Sequence, residues 1–340
     1  MNSFKLAVLS AVLLAAPARA ELIKFATLAP EGTDAAKIMQ AIDAELRAKT
    51  SGQLGFKFYL GGRQGDEKDM VRKIRLGQLQ AGGFTGVGLG EIAPEVRVMD
   101  APWLFRNSDE VDHVLKTFDA DFRKDFENKG FVLLGWTEIG FIYVFTNTPV
   151  KAPIDMQKLK IWMWEGDPIA ESAFKALDVH PIPLSITDVN TSLQTKLIDS
   201  VYSAPLYAIA LQWTDKTKYI YNVPMANASG AVLVSKKAFD ALPKDQQKLL
   251  LDVGAKHLSK LNALTREENR KALESLKAHG MIMTDTTPEQ LRSYEALGRK
   301  ARRELVGRLY SAELLDRVEK SLAEYRAKSG AAKAPKAAAK

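Results

Sequence analysis

Leu22-Ile23-Lys24-Phe25-Ala26-Thr27-Leu28 reads as a β-strand, with Ile23, Phe25 and Thr27 leaving on one face. Thr33 follows as a helix N-cap, and Ile38, Ile42 and Leu46 recur at helical spacing until Ser51-Gly52 ends the run. Leu54, Phe56, Phe58 and Leu60 alternate as a second strand, broken by Gly61-Gly62. Asp66 then caps a second helix, with Met70, Ile74 and Leu76 turned inward and Gly77 at its end. Strands separated by helices predict a parallel sheet with helices on its faces, an α/β fold.

The segment before this unit reads as a targeting sequence. Lys5 precedes an apolar run from Leu6 to Ala16, and Ala18-Arg19-Ala20 has the small-x-small form of a cleavage site. Residues 1–20 are therefore expected to be a signal peptide removed after Ala20, which addresses the chain to the periplasm. The run is too short to span a bilayer. The absence of Cys excludes disulfides, thiolate metal sites and Cys nucleophiles. The formal charge is +7, from 48 Lys+Arg and 41 Asp+Glu. Lys328, Lys333, Lys336 and Lys340 crowd the C-terminal segment, so the folded body is near neutral and lacks the basic face that nucleic acid requires.

Further along, Asn107-Ser108 caps a helix carrying Val111, Val114, Leu115 and Phe118, and residues 131–136 and 141–147 read as two strands. From Pro243 to His279 the chain is helical, with Gly280 as the stop. At 1.5 Å per residue these 36 or so residues make a rod of about 54 Å, long enough to pack on two lobes. From about Ser329 the composition is Ala/Lys/Pro-rich and predicts disorder. The run Gly82-Gly83-Phe84-Thr85-Gly86-Val87-Gly88 lacks both the Walker and the dinucleotide spacing, and suits a strand end where backbone approaches a ligand or turns sharply.

In Leu159-Lys160-Ile161-Trp162-Met163-Trp164-Glu165-Gly166-Asp167-Pro168 the two tryptophans share one strand face, Gly166 permits a turn, and Asp167 and Pro168 suit an N-cap and first helical position. Paired tryptophans at a strand end fit a ligand-cleft wall, and they equally fit a packed core stripe. The four histidines, His113, His180, His257 and His279, show no metal-ligand spacing, and no nucleophile motif is present. No catalytic residue, metal or cofactor is expected.

Taken in order, several segments resemble the DctP-type solute receptors of TRAP (tripartite ATP-independent periplasmic) transporters. They are Ile23-Lys24-Phe25-Ala26, Gly61-Gly62 with Gly65-Asp66-Glu67, Leu76-Gly77-Gln78-Leu79 and Met99-Asp100-Ala101-Pro102-Trp103-Leu104-Phe105. Phe145-Thr146-Asn147, Leu159-Lys160-Ile161, Phe174-Lys175-Ala176-Leu177, Pro181-Ile182-Pro183-Leu184, Thr191-Ser192-Leu193-Gln194 and Leu242-Pro243-Lys244-Asp245-Gln246-Gln247-Lys248 continue the match. The resemblance implies two α/β lobes around a cleft, joined by crossing strands and a long helix spanning both. It implies a receptor, not an enzyme, that closes on its ligand and delivers it to TRAP membrane subunits. The expected division is residues 21–144 plus 230–268 in the first lobe, 145–229 plus 269–325 in the second, and 326–340 as a disordered tail.

The departures from the family pattern carry the ligand prediction. The resemblance places an Arg that pairs with an organic acid directly after Leu-Lys-Ile, where this chain has Trp162, and a second Arg where it has Ile142. Leu28, Ile186, Tyr202 and Ser203 replace other polar or aromatic family positions, and Thr85 beside Phe84 takes the acidic/polar one. The candidate ligand-binding set is therefore Trp162, Trp164, Ile142, Tyr143, Leu28, Phe84, Thr85, Ile186, Tyr202 and Ser203. A buried carboxylate without a cation costs several kcal/mol, so these changes predict an apolar, amphipathic or aromatic ligand. The alternatives are an organic acid held by relocated cations, with Arg63, Arg106 and Lys160 as candidates, or a ligand chaperone working with a helical-repeat partner protein.

Overall fold

The computed structural model describes residues 21–284 and 286–333; the expected signal peptide and residues 334–340 of the expected tail lie outside the described residues. The opening unit forms as its patterning dictates: β1 (Glu21–Thr27), α1 (Asp34–Lys49), β2 (Leu54–Tyr59), α2 (Glu67–Arg75), β3 (Ala81–Thr85) and α3 (Gly86–Ile92). Thr33 and Asp66 cap α1 and α2 through their side chains. β1 runs parallel to both β2 and β3, with Phe25 opposite Phe58 on one side and Ala81 on the other. A 3-10 turn at Pro94–Asp100 leads towards α4 (Ser108–Asn128).

Residues 131–146 form one strand, β4 (Phe131–Thr146), where the sequence suggests two. The interruption is a bulge rather than a break. Gly140 has φ +113°, and its register with the partner strand shifts there. A Cβ at Gly140 would approach Asn269 Nδ2 to 2.6 Å, and Asn269 donates to Ile139 O at 2.9 Å. The chain continues through β5 (Trp162–Trp164), α5 (Pro168–Ala176), β6 (Ile182–Leu184), α6 (Val189–Gln194), β7 (Ser200–Ser203) and α7 (Pro205–Ala210). It then enters β8 (Tyr219–Ser235), α8 (Lys236–Ala241), α9 (Lys244–Ala278), β9 (Ile282–Thr284), α10 (Pro288–Glu304) and α11 (Ala312–Lys333).

The main sheet has the order β2-β1-β3-β8-β4-β7, with β9 added to β8. β4 and β8 are antiparallel and longer than the other strands, and they run from the first lobe into the second. One end of the pair is flanked by β3, whose Ala81 faces Val234; the other carries β7 and β9 at Tyr143–Thr146 and Tyr219–Tyr221. β5 and β6 form a separate parallel pair tied to β7 by the Ile161–Ser200 bridge. α9 links the lobes: Leu250, Val253, Leu258 and Leu261 pack with Ile23 and Phe25, while Leu276 packs with Phe145 and Ile220.

The C-terminal helix departs from the expected division. Leu314, Leu315, Val318 and Leu322 of α11 share a core with Val111, Phe118 and Phe131, which places this helix on α4 of the first lobe. The expected disordered tail from residue 326 is helical through Lys333. Arg326 donates to Glu110 and to Leu104 O at 2.7 Å, which holds that turn against buried groups. Among the described residues, no helix is long and apolar enough to cross a membrane.

Candidate functional site

The cleft encloses a cavity of about 210 Å³ between the lobes. Its position follows from the strand ends. The C-terminal ends of β1 and β3 deliver Thr27, Leu28, Phe84 and Thr85 from the first lobe. The crossing β4 and β8 supply Thr137, Ile142 and Asn227. Trp162, Trp164, Ile186, Tyr202 and Ser203 face it from the second lobe. Nine of the ten sequence-predicted residues thus line the cavity. Tyr143 does not; it follows Ile142 on an extended strand, where successive side chains take opposite faces, and packs beside the cluster that holds Phe145 and Ile220.

Trp162 is 1% exposed and serves core and cavity wall together. It stacks on Tyr202 with ring centres 4.9 Å apart and 18° between planes, and meets Trp213 edge-on at 5.3 Å. Its Nε1 donates to Leu184 O at 3.0 Å. The alternation of the tryptophans with Ile161 and Met163 holds: the latter two pack in a different cluster.

The two lobes also touch through Asp66. Trp164 Nε1 donates to Asp66 Oδ2 at 3.0 Å and Ser185 Oγ donates to the same oxygen at 2.7 Å. Asp66 also caps α2 by accepting from Glu67 N. Lys68 Nζ crosses to Glu165 O at 3.0 Å.

Among the described residues, four acidic or basic side chains line the wall: Glu67, Arg97, Asp100 and Asp167. Arg97 lies 3.0 Å from Asp100 and donates to Asp167, across the cleft, at 2.8 Å. Burial works against its charge, but Asp167 and Asp100 outweigh that and hold its pKa above the ordinary value. Asp100 also accepts from Ser229 N, and Asp167 from Ile169 N as the cap of α5. Burial pushes Asp100 up to about 6 against the pull of Arg97. Glu67 accepts from Thr85 N, Thr85 Oγ1 and Gly88 N, and burial still pushes it up to about 7. These acids account for the last two glycines of the run, because a Cβ on Gly86 would collide with the Asp100 carboxylate and one on Gly88 would crowd Glu67, whereas Gly82 and Gly83 make room for Phe84, Phe25 and Thr27. Neither Arg63, Arg106 nor Lys160 lines the cavity; Arg63 and Lys160 are exposed and Arg106 pairs with Glu295 on the surface.

Sequence reasoning did not pick out Arg97, Asn227 or Trp213 as wall residues. Arg97 stands three residues before Asp100, which was a usable signal for a paired cation. Trp213 and Asn227 carry no local signal. No group of residues suited to a metal ion occurs among the described residues.

The family model described as "Bacterial extracellular solute-binding protein, family 7" (DctP) matches residues 25–306. The chain is 28% identical over 268 residues to the 2,3-diketo-L-gulonate-binding periplasmic protein YiaO of Escherichia coli, covering 76% of this chain and 78% of that protein. It is 26% identical over 325 residues to the C4-dicarboxylate-binding periplasmic protein DctP of Rhodobacter capsulatus, covering 92% and 94%. Among solved structures, the sugar acid binding protein DctPAm of Advenella mimigardefordensis, in complex with galactonate, superposes with a TM-score of 0.84 at 20% identity, covering 90% of this chain and 99% of that one.

Proposed function

The chain belongs to the DctP family, family 7 of the bacterial extracellular solute-binding proteins, and from that premise we propose that it captures an apolar or amphipathic ligand between its lobes and delivers it to a TRAP transporter. The family consists of periplasmic receptors, not enzymes, that bind small molecules and work with TRAP membrane subunits. Export through a signal peptide cleaved after Ala20 belongs to the same proposal.

The observation that carries the ligand class is the charge of the wall. One guanidinium, Arg97, is opposed by Asp100 and Asp167, and Glu67 adds a third acid. A ligand carboxylate would enter a site whose cation is already neutralised, and its desolvation would go unrepaid. The rest of the wall is dominated by aromatic and aliphatic side chains, with Trp162 and Ile142 where the family resemblance places arginines. Burial of ligand surface at roughly 25 cal/mol per Å² supplies the driving force, and lobe closure excludes water.

A second reading, an organic acid, is favoured by what the relatives' names say those proteins bind. It requires an acid to displace Asp100 or Asp167 from Arg97. Calorimetry separates the two: the proposal predicts binding of medium-chain or aromatic neutral compounds and none of galactonate or C4-dicarboxylates. Tight binding of either acid, with no response to the neutral compounds, overturns it. The alternative of a ligand chaperone that hands a poorly soluble ligand to a helical-repeat partner is tested by co-purification from periplasmic extract; transfer to the membrane subunits without any such partner would remove it.

A further inference from the structure

Asn227 sits midway along β8, opposite Phe141 of β4, where the crossing strands pass from one lobe to the other. It is 1% exposed and lines the cavity. Among the described residues, neither its Oδ1 nor its Nδ2 has a hydrogen-bond partner. Burying a carboxamide with both ends unmet is unfavourable, and native proteins rarely do it. In a cavity wall the arrangement is complementary to a group that arrives with the ligand.

The charged groups of the wall are already engaged by the protein. Glu67 is occupied by Thr85 and Gly88, while Asp100 and Asp167 are occupied by Arg97, Ser229 N and Ile169 N. The Tyr202 hydroxyl accepts from Trp164 N. Asn227 offers an NH2 group that donates and a carbonyl oxygen that accepts, without charge. A carboxylate has no proton for Oδ1 and is opposed by the surplus of acids. An ammonium has no acceptor for Nδ2. A hydroxyl or an amide satisfies both atoms.

Resting on the apolar-ligand reading above, we infer that Asn227 is a specificity-determining residue, and that the ligand is an uncharged amphipath whose single alcohol- or amide-like group docks on it. The hydrocarbon remainder packs along the Trp162, Tyr202 and Ile142 wall. The Asn227 carboxamide gains its hydrogen bonds only when that polar end is seated, so it sets the direction in which the ligand lies.

The test is displacement of N-phenyl-1-naphthylamine from the exported protein by 1-octanol, octane and, at about pH 8 where the acid is ionised, octanoate. The wild type is expected to bind octanol about tenfold more tightly than octane, the scale of one net hydrogen bond, and octanoate more weakly than octanol. Asn227→Leu, close in volume, is expected to lower octanol affinity about tenfold while leaving octane within about twofold. Equal binding of octanol and octane by the wild type overturns the inference with no variant needed, and leaves the apolar cavity standing. An equal loss of both ligands in Asn227→Leu also overturns it. Failure of both neutral compounds to displace the probe, or preference for octanoate, overturns the apolar reading and the inference together.

Discussion

Replacing Trp164 with Phe tests the hydrogen bond that joins the two lobes. The substitution removes the Nε1 hydrogen bond to Asp66 at 3.0 Å, which joins a second-lobe strand to the N-cap of a first-lobe helix. It keeps an aromatic ring beside Trp162, 5.9 Å away. Asp66 keeps Ser185 Oγ and Glu67 N, so α2 remains capped. A hydrogen bond to a charged acceptor contributes about 1.5–3 kcal/mol, which corresponds to roughly 10- to 100-fold in affinity if the open form lacks it. A bond made on closure over a seated ligand acts on the step that releases it, so the loss belongs in dissociation. Stopped-flow fluorescence with N-phenyl-1-naphthylamine reads both rates, with the expected outcome an unchanged association rate and a dissociation rate raised at least about tenfold. An unchanged dissociation rate, or a loss confined to association, would refute the assignment of Asp66, Trp164 and Ser185 as the latch.

Other perturbations follow from the same contacts. Glu67 has its folded pKa pushed up to about 7 from 4.5, so the protonated form is favoured by folding. Its contribution is present below about pH 4.5 and disappears as pH rises through about 7. Chemical denaturation should show stability falling across that window, and Glu67→Gln should flatten the fall; an identical pH slope in the variant contradicts the assignment. Gly135→Val drives a side chain into Leu258, since even a Cβ there lies 2.8 Å from Leu258 Cδ1. About 1–3 kcal/mol of stability should be lost by overpacking between β4 and α9, read as a lower melting temperature. Arg326→Ala removes an ionic partner of Glu110, which is 3% exposed. The loss should be about 1–2 kcal/mol in urea denaturation.

The local patterns in the sequence were enough for the opening β1-α1-β2-α2 unit and for α9, because each has a clear period and a capping or stopping residue. The shared face of Trp162 and Trp164 was legible for the same reason. β8 was not, because Pro224 and Gly230 interrupt its apolar pattern. Its strand survives because Pro224 falls where the register between β4 and β8 is irregular, between the Ile142–Ala226 and Val144–Tyr221 pairs, so its missing N–H breaks no regular ladder. The charge network was also out of reach. Arg97 and Asp167 are 70 positions apart and meet only when the lobes face each other. Asp167 and Asp66 were visible as helix caps, and their second role across the cleft depends on tertiary contact. Asn227 is informative through partners it does not have, and that becomes visible only when its surroundings are known.

Mass spectrometry of the exported protein bears most directly on the ligand class, first under native conditions and then after organic extraction. A bound uncharged amphipath, released into the organic phase and carrying a hydroxyl or amide, is the predicted result. A sugar acid or dicarboxylate retained in the cavity would contradict it, and would require Arg97 to exchange Asp100 or Asp167 for the ligand.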